Sequence, residues 1–470
     1  MRRPVQAVWR SSEPAVEAPT TVLQVTSADG LALLAAAVDA GWWSGTRRVL
    51  LLVDTSPVPE ATAPLWLLPE FEPLASRFVE AWSLNDVCFP HHPGAWSPRV
   101  QEHDLIARYL QQLLGLAEPV RRLVLESVTT RPASQLLHLF PEAGLDVYAS
   151  GLTGLCPPPE RPSRQVSLRI ERTLAVEPVP GLEPLLPGEP DVGTTLLPAA
   201  AVRAVLDEAA EAVTPTSLPE GGVPVVLTGL LAPTGLLTPD QEVDHWVTAL
   251  EALAAAGHGR VVVKPHPAAL DTHATDLEAA GTRLGLQVEV VDQPCLPSTV
   301  LHHHRPPLVV AGAAEDLLPA ALHDLPVARW RTRDLLRSLS PEDGRRVALA
   351  LAERLVPDLA DQPAGGPLRG YEGGDRWLVE AVRHRLRPRL APDPGPPPPG
   401  APDPEDFLAV PEEPQAAPGP GPVTAPSATS GPSGAPAAAL SSPGRPGHVI
   451  RLRRRLHRLR RRLLSRGQRG

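Results

Sequence analysis

The feature that most restricts this chain is a series of short runs in which consecutive positions, rather than alternate ones, are apolar. Residues 47–55 read RRVLLLVDT, 122–129 RLVLESVT, 223–231 VPVVLTGLL, 260–267 RVVVKPHP and 307–314 PLVVAGAA. A strand apolar on both faces belongs in a parallel sheet covered by helices on both sides. Between these runs lie stretches of helical period, such as PDQEVDHWVTALEALAAAG at 239–257. Regular alternation of this kind predicts a doubly wound α/β architecture.

The alternation runs twice. Strands are expected at 20–27, 47–55, 78–85, 122–129 and 145–150, then at 223–231, 260–267, 287–294, 307–314 and 325–330. A Pro-rich passage at 156–190 interrupts the series and is expected to carry a return strand and the domain connection. The predicted organisation is a disordered leader (1–19), an N-terminal Rossmann-like domain on the acceptor side (20–195) and a C-terminal Rossmann-like donor domain (196–390). Neither series contains the GxGxxG dinucleotide fingerprint. Two such domains without it fit a GT-B-like α/β fold, with a donor nucleotide in the cleft against the carboxyl ends of the second sheet.

Beyond residue 390 the composition changes. Eighteen of the 57 residues at 391–447 are proline, which predicts a linker that cannot bury enough apolar area to fold. At 448–470, Ile450, Leu452, Leu456, Leu459, Leu463 and Leu464 recur at largely helical spacing among ten arginines. This basic amphipathic helix suits an anionic membrane surface; the alternatives are a nucleic-acid-binding or unstructured tail. The formal charge of −9 hides this segment, which contains no carboxylate, so the first 447 residues carry about −19. Specific nucleic-acid binding by the body is therefore not expected. Three widely spaced cysteines, Cys88, Cys156 and Cys295, fit a reducing compartment. With no apolar run of the roughly 18 residues a span needs, and no signal-peptide core, the expected location is cytoplasmic, peripheral on the inner face of the cell membrane.

The clearest chemical feature is the end of VVVKPHP. Lys264, Pro265, His266 and Pro267 emerge at a sheet's carboxyl edge, where α/β ligands bind. Prolines on both sides restrict the backbone around the imidazole. An imidazole there can protonate a phosphate leaving group, with an ammonium nearby to hold the charge. Lys264 is the one lysine among 44 basic residues, which marks a position where arginine does not serve, unless it survives by chance.

KPHP resembles the HP motif of bacterial sialyltransferases, and the wider pattern resembles the polysialyltransferase family of capsule glycosyltransferases. The resemblance extends over about residues 20–359. It includes WSLNDVCFPHHPGAWSPR (82–99), DVYASGL (146–152), GLLTPDQE (235–242), VVVKPHP and the VVAGAA…AALHDLPVA stretch (309–328). It implies a metal-independent GT-B enzyme transferring sialic acid from CMP-sialic acid to a surface or capsular glycan, with CMP-sialic acid as donor substrate and no cofactor. The family's HP histidine, which handles the CMP leaving group, corresponds to His266, and Lys264, Pro267 and Gly312 fall to the nucleotide side.

Two departures stand out. Where the family places an acidic motif that activates the acceptor, this chain has Tyr148-Ala149-Ser150-Gly151. Serine cannot accept that proton without a base of its own. Glu142, ahead of the strand, and Asp146, within it, are the alternative carboxylates. The family's Ser-rich phosphate motif is also altered, since Gly312 is followed by Ala313, Ala314, Glu315 and Asp316. Two carboxylates repel a phosphate. They would instead hold a ribose or an amine, or cap the next helix.

His91 and His92, in the FPHHPGAW loop, are candidates either for an acceptor-side role or for loop packing. The triplet His302, His303, His304 does not converge on one ion and is expected at a solvated helix end or loop. No DxD motif is present. The leading expectation is a sialyltransferase-like inverting transferase. The alternatives are a catalytically impaired relative acting as a membrane-associated glycan-binding or scaffolding partner, and a transferase using another nucleotide sugar with a relocated base.

Overall fold

The computed structural model describes residues 6–361, apart from 12–17, 57–58, 60–62, 117, 151–161, 178–191, 216–217, 220–221, 267–270, 313, 341–342 and 344, together with 381, 393–399, 401, 403 and 404. The chain divides into two compact units, Met1–Val410 and Pro411–Gly470, and the described residues all belong to the first. The basic tail and nearly all of the Pro-rich linker lie outside the described residues.

Two sheets organise this unit. The first contains β1 (Trp9–Arg10), β2 (Thr20–Val25), β3 (Arg47–Leu52), β4 (Glu80–Ser83), β5 (Arg122–Leu125), β6 (Gly144–Ala149), β7 (Ile170–Glu177) and β8 (Thr194–Pro198). Their order is β1-β4-β3-β2-β5-β6-β7-β8, parallel throughout except for β1. The second contains β9 (Val225–Thr228), β10 (Arg260–Pro265), β11 (Gln287–Val290), β12 (Val309–Ala311) and β13 (Val327–Arg329). It is wholly parallel, in the order β11-β10-β9-β12-β13. The double-sided apolar runs explain this arrangement: β2 is buried at all six positions and β12 at all three. The fold is thus α/β of GT-B type, built from two doubly wound sheets.

In each sheet the strand order reverses once, between β2 and β5 and between β9 and β12. At such a point adjacent connections leave in opposite directions and open a crevice at the carboxyl edge.

The structure departs from expectation in three places. Part of the 1–19 leader is ordered, since Trp9 and Arg10 pair with Ala81 and Glu80 at the sheet edge. The Pro-rich passage leads into two strands, β7 and β8, both parallel extensions of the first sheet and neither a return strand. The expected division at 195/196 falls inside β8.

The halves share a core. Helix Ala199–Glu211, directly after β8, packs on helices Ala28–Asp39 and Phe71–Ala75 of the first half and on Pro297–His304 and Ala314–Leu322 of the second. Leu31, Leu34 and Leu206 join Leu296, Leu318 and Leu322 in one apolar cluster. Glu70, at the start of Phe71–Ala75, crosses the same boundary. Its Oε1 accepts hydrogen bonds from the Leu296 N–H at 2.9 Å and the Thr299 hydroxyl at 2.5 Å. A carboxylate from one half therefore caps a helix of the other.

The histidine triplet occupies the last turn of helix Pro297–His304, a helix end as expected, but only His303 is exposed; His302 is half-buried and His304 buried. His302 Nδ1 lies 2.7 Å from Asp207 on helix Ala199–Glu211, His303 Nε2 donates to the Ala210 carbonyl, and His304 Nε2 donates to the Val223 carbonyl. Three consecutive side chains diverge around the helix end, and each finds a separate partner on packed neighbouring chain. Among the described residues, no helix is long and apolar enough to cross a membrane.

Candidate active site

At the first switch point, Thr26, Ser27 and Asp29 follow β2, Glu126 follows β5 and Ser150 follows β6. These residues form one cluster. The Glu126 carboxylate accepts hydrogen bonds from the Thr26 hydroxyl and, at 2.8 Å, from the Ser150 hydroxyl. Ser27 caps helix Ala28–Asp39 by accepting from the Gly30 N–H at 3.1 Å. A Cβ on Gly30 would stand 3.2 Å from both the Ser27 Oγ and the Tyr148 hydroxyl oxygen, so glycine lets the helix start press onto the sheet. Beneath it, Tyr148 donates to the Gln24 carbonyl at 2.9 Å, and burial and the charge of Glu126 push its phenol well above the ordinary range.

Asp29, in the first turn of that helix, is half-buried. Burial, and then the neighbouring Glu126 charge, raise its carboxyl to about 6. Such a group is mostly ionised at neutral pH yet remains a competent proton acceptor, as a general base requires.

The sequence candidates are distributed unevenly around this cluster. Ser150 belongs to it, as a hydrogen-bond donor to Glu126. Glu142 does not, being exposed in the turn ahead of β6, at the opposite edge of the sheet from Ser150. Asp146 is buried mid-strand and held by the Trp43 indole N–H at 2.7 Å and by Arg122 and Arg172, each at 2.6 Å. A carboxylate so surrounded by donors serves the sheet rather than a substrate. Asp29 and Glu126 were not legible from motif spacing. The available signal was position, since both closely follow strands that flank the reversal of strand order.

His91 is exposed, whereas His92 Nε2 donates to the Ser56 carbonyl at 2.8 Å and its Nδ1 accepts from the Gly94 N–H. Both ring nitrogens of His92 are thus committed to the loop.

In the second sheet, His266 follows β10, and its backbone N–H donates to the Thr228 carbonyl at 3.0 Å. Burial, and then the Lys264 charge, lower its imidazole to about 4. His266 is therefore neutral at pH 7 without ligand, and it enters any reaction as a hydrogen-bond donor or acceptor; a dianion beside it would raise its proton affinity. Lys264 is only 3% exposed, and its Nζ donates to the Gln293 carbonyl at 3.0 Å. Burial lowers its pKa, against the opposing influence of Cys295, Glu70 and Asp292. Its burial and the Gln293 bond turn one of the ammonium's three donors inward, away from the expected phosphate contact.

Gly312 follows β12 at the second switch point, while Glu315 and Asp316 fall in the first turn of helix Ala314–Leu322. Pro267 lies outside the described residues.

No protein-family model and no curated protein matches the sequence. Among solved structures, the chain is similar to a putative UDP-N-acetylglucosamine 2-epimerase from Listeria monocytogenes (13% identical, TM-score 0.38, covering 80% of this chain and 99% of that one). It is also similar to a glycosyltransferase from Rickettsia africae (10%, TM-score 0.36, covering 66% and 79%) and to MurG from Acinetobacter baumannii (10%, TM-score 0.37, covering 72% and 85%). Likeness at this level adds nothing to the fold beyond what the strand orders establish.

Proposed function

We propose that this chain is an inverting glycosyltransferase, and that it transfers sialic acid from CMP-sialic acid to a surface or capsular glycan. The observation that carries the reading is the carboxylate cluster at the β2/β5 switch point, where Glu126 is held by two hydroxyls and burial, then the Glu126 charge, raise the Asp29 carboxyl to about 6. In this reading Asp29 removes the acceptor hydroxyl proton as that oxygen attacks the anomeric carbon. The bond from that carbon to the donor phosphate oxygen breaks, and the electron pair leaves with the nucleotide phosphate. Attack opposite the leaving group inverts the configuration.

The choice of CMP-sialic acid rests on the resemblance around His266 and VVVKPHP. The reading of an impaired scaffold draws on the serine at position 150 and on Glu315 and Asp316 after Gly312. The first of these grounds loses force because the Ser150 hydroxyl donates to a carboxylate from the neighbouring strand end.

The test is CMP release from CMP-sialic acid with a sialylated oligosaccharide acceptor, beside Asp29→Asn. The substitution should lower kcat by about 100-fold or more, the usual contribution of a general base. Wild-type turnover in the variant would sink the assignment of Asp29. Transfer from UDP- or GDP-sugars alone would keep the transferase reading and overturn the donor.

A further inference from the structure

At the second switch point, helix Pro239–Ala255 presses His245 and Trp246 against Gly312. A Cβ on Gly312 would stand 2.9 Å from Trp246 Cη2 and 3.0 Å from His245 Nε2. The imidazole nitrogen therefore points at the turn between β12 and helix Ala314–Leu322. His245 is 6% exposed, and its Nε2 has no hydrogen-bond partner among the described residues. A buried polar nitrogen left so is unfavourable, and a ligand that supplies its partner relieves that cost.

The surroundings favour an anion. Arg331 follows β13 in the left-handed region (φ 46°), exposed, with its guanidinium 5.4 Å from the Trp330 ring centre. Trp330 in turn donates to the His245 carbonyl at 3.0 Å, which ties the end of β13 to helix Pro239–Ala255. Trp330 thus carries Arg331 on one side and holds the His245 backbone on the other, and burial, then the Arg331 charge, lower the His245 imidazole to about 4. The N-terminus of the nine-residue helix Ala314–Leu322 adds its dipole.

We infer that His245 Nε2 and Arg331 form a phosphate-binding subsite at the Gly312 turn, gripping the phosphate of a nucleotide. This rests on the proposed transferase reading and relocates the phosphate contact. The loop after Gly312 carries alanines instead of hydroxyls, and the contact comes from the helix packed behind it and from the neighbouring strand end. Gly312 is the residue that admits the imidazole.

The test is calorimetric titration of the full chain with CMP and UMP, each beside its nucleoside, for wild type, His245→Gln and Arg331→Gln. Both substitutions should weaken binding of the 5′-monophosphates by about 10-fold or more while leaving cytidine and uridine unchanged. Because Arg331 is exposed, Arg331→Gln decides the matter should the buried His245 variant fail to fold. An unchanged ratio of nucleotide to nucleoside affinity in Arg331→Gln would overturn the subsite while leaving the transferase reading standing. If the wild type bound neither nucleotide, the subsite and the CMP-sialic acid donor would both fall.

Discussion

Lys264 shows what a single side chain is chosen for. Its site is 3% exposed and, among the described residues, offers its Nζ the Gln293 carbonyl at 3.0 Å. A compact ammonium fits such a site, whereas a guanidinium would bring five donors and a planar fork. Lys264→Arg should therefore cost about 1–3 kcal/mol, read as a lower urea midpoint; an unchanged midpoint would show that the site accommodates either cation. Asp29 works in the other direction. Its raised carboxyl pKa means that the folded state opposes its ionisation, so neutral pH draws on stability there. Asp29→Asn should hold or raise the melting temperature at pH 7 while removing turnover, and a fall would mark Asp29 as structural. His245, His266 and His323, the last buried just beyond helix Ala314–Leu322, are each lowered from 6.5 to about 4. The unfolded chain then binds more protons than the folded one as pH drops from 6.5 towards 4. Stability present above 6.5 is lost across that window, by about 1.4 kcal/mol per unit of separation as an upper bound for each group. A melting temperature flat between pH 7 and 4 would contradict this.

At the scale of elements, the junction between the halves is made by helix ends. Helix Pro297–His304 is capped at its start by Glu70 and tied at its end by His302, His303 and His304. Glu70→Ala would leave the Leu296 N–H and the Thr299 hydroxyl without their buried acceptor, at a cost of about 1–3 kcal/mol. Hydrogen exchange at residues 296–299 should accelerate before any global loss of structure. Unchanged protection there would mean that the cap is not what holds the helix start. The same junction accounts for Lys264, since Glu70 is among the charges that favour its protonated form.

At the scale of the whole molecule, charge is segregated along the chain. A body carrying about −19 is repelled by anionic lipid, so any attachment must come from the ten arginines and the leucine stripe at 448–470. The full chain should sediment with phosphatidylserine vesicles at low salt and be released by salt, while a chain ending at residue 447 should remain in the supernatant. Equal sedimentation of both would end the membrane proposal. How much was legible beforehand divides along physical lines. The double-sided apolar runs determined by themselves that the strands would be parallel and covered on both faces, and VVVKPHP placed His266 at a carboxyl edge, because burial and strand direction are local consequences of pattern. Which carboxylates would meet was beyond pattern. Asp29 and Glu126 are 97 positions apart and come together only because β2 and β5 are hydrogen-bonded neighbours. The burial that turned Lys264 inward, and the packing that aimed His245 at Gly312, likewise belong to tertiary structure, since a side chain's proton affinity and partners are set by what folds against it.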